Sequence, residues 1–190
     1  MALRPGFKSR ANALARRYRQ ELGLTVTDPL CPWQLARHLG IIVRTLSSLK
    51  QVEEAVQILQ GEGLRHFSGF TVGDGERHMI IHNDAHSPSR QANTIAHELS
   101  HLILGHPPLP YLNELGARHY NETQEKEADW LGPALLISDE AALYIVEQRW
   151  SEEQAARKYR VSRDVVRMRI RVTAARRRVM ERQAIYDYET

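Results

Sequence analysis

The chain has 190 residues, 42% of them apolar and 26% charged, with a formal net charge of +3, values ordinary for one globular domain with a substantial core. No stretch approaches the roughly 18 consecutive apolar residues of a membrane span, and Met1 to Phe7 has no hydrophobic signal core, so a soluble cytoplasmic protein without a membrane partner is expected. Cys31 is the single cysteine, which excludes an internal disulfide and a thiolate zinc cluster.

Ser9 to Leu22 reads as an amphipathic helix, with Ala11, Leu14, Ala15, Tyr18 and Leu22 at helical spacing, Arg10, Arg16, Arg17 and Arg19 elsewhere, and Gly23 as its stop. Pro32 to Leu39 opens on a helix-compatible proline and ends before Gly40, where the β-branched run Ile41 to Thr45 begins a strand. Leu49 to Gln60 fits a helix and, in part, a strand, and both stay open. His66 to Val72 and Arg77 to His82 flank Gly73-Asp74-Gly75-Glu76, the pattern of an antiparallel hairpin. Met79, Ile80 and Ile81 are expected to pack beneath the next helix, which Ser87 would cap with Pro88 in its first turn.

That helix carries His97-Glu98-Leu99-Ser100-His101. Residues four apart lie about 40° apart around a helix, so His97 and His101 point the same way from successive turns and make a ready pair of metal ligands. Glu98 projects beside them, where a carboxylate can take a proton from an attacking water. The chain's composition gives a chance His-Glu-x-x-His only about 0.04 times, which disfavours accident. Ala92, Ile95, Ala96, Leu99 and Ile103 form the stripe that would bury the helix, and Gly105 suits its C-terminal cap.

A catalytic zinc takes three protein ligands, so a third donor is required downstream. His106 does not fall at the spacing of a ligand that continues the first helix. Glu127 is the preferred third ligand, because Leu131 and Leu135 continue its face inward and Ala128 would let two helices approach. Glu125 is the nearest competitor and reads as a solvated charge. Pro133 is expected to end or kink this helix. His82, His86 and His106 read as surface residues or neighbours of the ligands. The segment from Gly105 to Tyr120, with Pro107, Pro108 and Pro110, is equally a substrate wall or a structural cover. Its Tyr111, His119 and Tyr120 are unranked candidates for oxyanion stabilisation.

Residues 149–182 hold a local charge of +8, leaving −5 for the remainder. Ser151 to Gln154 is a capping box, and Ser162 caps a second helix carrying Val165, Val166, Met168, Ile170 and Val172. Two short helices about a three-residue turn resemble a helix-turn-helix, to be read either as a basic surface for DNA or an acidic protein, or as a docking pair with solvated arginines.

Arg90 with Ala96-His97-Glu98-Leu99-Ser100-His101, the upstream Ile80-Ile81-His82-Asn83, and Glu125-Lys126-Glu127-Ala128-Asp129-Trp130-Leu131-Gly132-Pro133-Ala134-Leu135-Leu136 together resemble the ImmA/IrrE metallopeptidases. Asp129, Leu131-Gly132-Pro133 and Ser138 depart from the family's usual Asn, Phe-Ala-Ala and Pro. The resemblance implies a zincin-like fold, zinc held by His97, His101 and the Glu before Ala (Glu127), and Glu98 as the general base. It implies an endopeptidase whose substrate is a helix-turn-helix transcriptional repressor, cut during stress or mobile-element induction.

The expected architecture is a single α+β domain over 1–190. A small antiparallel sheet packs on a helical core over 1–148, the basic helical pair follows over 149–182, and 183–190 form a tail. The rival class is a non-enzymatic regulator that binds DNA or a repressor through the basic helices. The presence of Glu98 argues against it, since a structural zinc site needs no base.

Overall fold

The computed structural model describes residues 3–49, 67–73, 77–107 and 121–189. Most of the ambiguous segment Leu49 to Gln60, the hairpin tip 74–76, and Tyr111, His119 and Tyr120 lie outside them.

Helix α1 (Phe7–Glu21) starts two residues before its expected boundary, because Gly6 takes a left-handed conformation (φ 76°) and lets Phe7 turn into the core. Helix α2 (Pro32–His38) leads into β1 (Ile42–Thr45) and a short 3₁₀ turn (Leu46–Leu49). Strands β2 (Gly69–Gly73) and β3 (His78–His82) pair antiparallel as the glycine-rich hairpin pattern requires.

The sheet is not purely antiparallel, however. Its order is β1-β3-β2, and β1 runs parallel to β3 with Ile42 opposite Met79 and Thr45 opposite His82. The hairpin leaves one edge of β3 unpaired, and the β-branched run of β1 satisfies it.

Side chains alternate across a strand, so β3 serves both faces of the sheet. Ile80 joins Ile95 and Leu99 in the main core, whereas Ile81 packs with Leu46 and, at their margin, Met79, Phe67 and Phe70 on the opposite face. Of the three residues expected beneath the next helix, only Ile80 takes that place.

Helix α3 (Pro88–Leu104) is capped at Ser87, whose side chain accepts from the Arg90 N–H, and ends at Gly105 (φ 67°). Helix α4 (Glu122–Leu136) begins at Asn121, whose side chain accepts from the N–H groups of Thr123 and Gln124. Pro133 does not stop it: the helix runs on to Leu136.

The main core joins Phe7, Ala11 and Tyr18 of α1, Leu35 and Ala36 of α2, Ile80, Ile95, Leu99, and Leu131 and Leu135 of α4. Each large apolar side chain buried there contributes roughly 1.5–3 kcal/mol before the cost of ordering the chain. Helix α4 is therefore packed between α3 on one side and α1 on the other.

Two buried arginines fix the end of α4. Arg19, whose helical phase suggests a solvated position, is fully buried and donates to the carbonyls of Ala15, Asp28 and Leu136. Burial lowers its pKa to about 10. Arg169 is also fully buried, donating to the Ile137 carbonyl at 2.8 Å and to Asp139 at 2.7 Å. The last carbonyls of a helix lack partners within it, and here guanidinium groups from two distant segments supply them.

The basic segment folds onto this corner. Helices α5 (Asp139–Glu147), α6 (Glu152–Tyr159), α7 (Arg163–Val172) and α8 (Ala175–Glu189) enclose a second cluster that includes Ala142, Ile145, Tyr159, Val166, Ile170 and Val179. The Ser151–Gln154 capping box and the Ser162 cap both form. Residues expected to form a tail belong to α8 as far as Glu189.

Candidate metal centre

On α3 the stripe Ala92, Ile95, Ala96 and Leu99 is buried, which fixes the helix axially and sets His97 and His101 on its flank. Their Nε2 atoms stand 3.1 Å apart. Glu125, in the first turn of α4, brings one carboxylate oxygen to 3.3 Å from His97 Nε2 and the other to 3.8 Å from His101 Nε2. Donors bound tetrahedrally at about 2.0–2.1 Å from a zinc ion lie about 3.3 Å from one another. The donors of His97, His101 and Glu125 all fall within 4.8 Å, so among the described residues this group could hold a metal ion.

Glu127, the expected third ligand, is not brought to the two imidazoles. It is fully buried on the α1 side of α4, where Arg4 grips both its oxygens at 2.5 Å and His106 Nε2 lies 3.1 Å from one of them. Arg4 holds this carboxyl below the usual range against the effect of burial, with His106 adding to it.

The packing of α4 accounts for this placement. Leu131 and Leu135 do continue Glu127's face inward, but inward from α4 there are two neighbours, and that face meets the cluster containing α1. The face toward α3 runs through Glu125, Ala128, Asp129 and Gly132. Its small residues are the signal that could have identified it.

Gly132 decides how close the helices come. A Cβ built there would lie 3.2 Å from the His97 nitrogen and 3.3 Å from the His97 Cα, tighter than most real contacts. The absence of a side chain thus lets α4 present Glu125 to His97 from two turns further back. Gly132→Val is expected to lower stability by about 1–3 kcal/mol through overpacking and to weaken metal binding at the same time. Urea unfolding and chelator competition on the same preparations check both.

Asp129 occupies the next position on this stripe, its Oδ1 3.1 Å from His97 Nδ1. Burial disfavours a charged His97, but Asp129 and Glu125 beside its two nitrogens outweigh that and raise its pKa to about 9. A carboxylate on Nδ1 orients the ring so that Nε2 faces the other donors.

A family model described as the IrrE N-terminal-like domain, Peptidase_M78, matches residues 36–171. The chain belongs to this metallopeptidase family. A search of curated proteins finds no match. For a member of this family the donor set is coherent: two imidazoles and one carboxylate, with nitrogen and oxygen donors suited to a divalent cation and no competing thiolate nearby.

Glu98, the residue between the ligand candidates in sequence, is buried and points toward the sheet, where the Thr71 hydroxyl donates to its Oε2 at 2.8 Å. Thr71 lies opposite Ile80 on β2, on the face that meets α3. Strand alternation therefore delivers a hydroxyl to the catalytic candidate, a contact that the sequence reading did not assign. On the same face, a Cβ at Gly69 would meet Thr94 Cγ2 at 2.6 Å, so the missing side chain lets β2 lie against α3.

His82 and His86 stay apart from this group. His82 is buried with its ring edge-on to Trp33, and burial lowers its pKa, while His86 lies 3.4 Å from Asn83.

Proposed function

We propose that this chain is a zinc-dependent endopeptidase, with His97, His101 and Glu125 as metal ligands and Glu98 as the general base. The observation that supports it most directly is the convergence of three donors from two helices beside a buried glutamate. When bound there, zinc supplies Lewis acidity to the scissile carbonyl and acidifies water. Glu98 takes the proton of the attacking water and passes it to the departing amine. Thr71 fixes one oxygen of Glu98, so the carboxylate keeps its aim while its charge changes. Strand β2 ends one side of the sheet among the described residues, and an extended substrate can align along it by backbone hydrogen bonding.

From the resemblance, the substrate is a helix-turn-helix transcriptional repressor in the cytoplasm, and one cut relieves repression during stress or mobile-element induction. The alternative, a regulator that binds DNA through the basic helices, has fewer free cations than the sequence suggests. Arg169 is buried, Arg163 and Arg167 pair with Glu152 and Glu153, and Arg182 pairs with Glu147.

The reading is tested by elemental analysis of protein purified without chelator, followed by incubation with repressors encoded beside it. About one zinc per chain and a single cleavage product, abolished by chelator and restored by zinc, are expected. No metal uptake even with zinc supplied overturns it.

A further inference from the structure

We propose that the cleft between α7 and α8 is a docking site for an acidic segment of a partner polypeptide, one in which carboxylates flank an apolar side chain. The cleft has a volume of about 500 Å³. Arg167, Arg171, Arg176 and Arg177 line it, against a single carboxylate, that of Glu152, and Ile170 and Ala174 supply its apolar part.

The fold brings these residues together in three steps. Residues four apart share a helix face, so Arg163, Arg167 and Arg171 form one exposed stripe along α7, while Val166, Arg169 and Ile170 are buried. Ala174 then takes a left-handed conformation (φ 52°), and its N–H returns to the Arg171 carbonyl at 3.1 Å. Helix α8 therefore starts beside the end of α7, and Arg176 and Arg177 of its first turn join Arg171 in the walls of the cleft. No acidic residue stands in that first turn, so the N–H groups at the start of α8 add to the positive potential. Arg169 holds the Ile137 carbonyl and Asp139, which fixes α7, and with it the cleft, to the end of α4.

The ion pairs leave these cations unequal. Arg167 is committed to Glu152 and Asp164, at 2.7 and 3.0 Å. Arg177 makes an exposed contact with Glu181 at 3.5 Å, the kind of pair that contributes little in water. Arg171 and Arg176 are exposed and pair with no acidic group among the described residues. Carboxylates brought to them form charge-assisted bonds, and the planar guanidinium allows two at once. Ile170 and Ala174 offer an apolar contact that a purely ionic partner would leave unused. A nucleic-acid backbone fits this surface less well. Its phosphates recur in a regular array matched by cations spread along a groove. Here Glu152, Glu153 and Asp164 stand among the arginines of α7.

Fluorescence anisotropy on the full chain tests the site with a labelled peptide, Glu-Asp-Glu-Leu-Glu-Asp-Glu. The comparison probes are its uncharged counterpart Gln-Asn-Gln-Leu-Gln-Asn-Gln, the acidic peptide with serine in place of leucine, and a labelled short duplex DNA. The acidic peptide is expected to bind with a dissociation constant below about 1 mM and more weakly as salt rises. The serine peptide should bind several-fold more weakly, and the uncharged one should not bind. Arg171→Gln combined with Arg176→Gln is expected to weaken the acidic peptide about tenfold or more, because each substitution removes a charge-assisted bond. Arg157→Gln combined with Lys158→Gln removes the same charge outside the cleft and should change binding by less than about twofold at physiological salt. All four side chains are exposed, so both double variants should keep the fold.

No binding of the acidic peptide at low salt, equal binding of the uncharged or the serine peptide, or equal weakening by the two double variants overturns the proposal. Duplex DNA that binds more tightly than the peptide, and is lost when Arg171 and Arg176 are replaced, overturns it in favour of a nucleic-acid site.

Discussion

Glu125→Ala is expected to weaken zinc binding by more than the roughly 100-fold that bounds the loss of an orienting partner, because it removes a donor rather than its support. Its carboxylate reaches both imidazoles, at 3.3 and 3.8 Å. Without it, two nitrogens remain on one face of α3, and water must replace the third protein donor. The fold should survive, since Glu125 lies in the first turn of α4 outside both large clusters and Asn121 still caps the helix. Competition with a chromogenic chelator, combined with the unfolding midpoint of the metal-free protein, separates lost ligation from lost structure. Wild-type affinity in this variant would remove Glu125 from the site.

How far the sequence leads to this site depends on which physical signal each residue carries. His97, Glu98 and His101 are readable because their relation is internal to one helix, where a spacing of four fixes direction without knowledge of any neighbour. Ser87, Gly105, Ser151 and Ser162 are readable at the boundaries for the same reason: a cap is a local contract between a side chain and the next turn. Glu125 and Glu127 differ only in which neighbouring helix each one faces, and that is a tertiary fact. The glycine at position 132 encodes it, but only once the close approach to His97 is seen.

The sheet shows the same limit. The hairpin of β2 and β3 is local and legible, whereas the parallel pairing of β1 with β3 joins strands more than thirty residues apart. The buried arginines are the sharpest case. Composition presents Arg19 and Arg169 as solvated charge, yet each is fully buried and bound to carbonyls at the end of α4. A basic segment can therefore owe part of its charge to internal architecture rather than to a polyanionic partner.

The other large effect is expected at Glu98. Glu98→Gln should retain zinc within a few-fold of wild type and lower the rate of substrate cleavage by about 10²–10⁴-fold, the span that a positioned general acid–base supplies. Glutamine has the same shape, and its amide oxygen can still accept from the Thr71 hydroxyl, so the contact between β2 and α3 persists. What it loses is the capacity to take a proton from water and return it to the leaving amine. A drop of that size corresponds to about 3–5 kcal/mol of activation free energy, well above any change expected from packing an isostere. Single-turnover cleavage of an identified repressor, measured beside the zinc content of the same preparation, makes the distinction. Retained metal with lost cleavage assigns Glu98 to proton transfer, and cleavage at the wild-type rate would remove it from the mechanism.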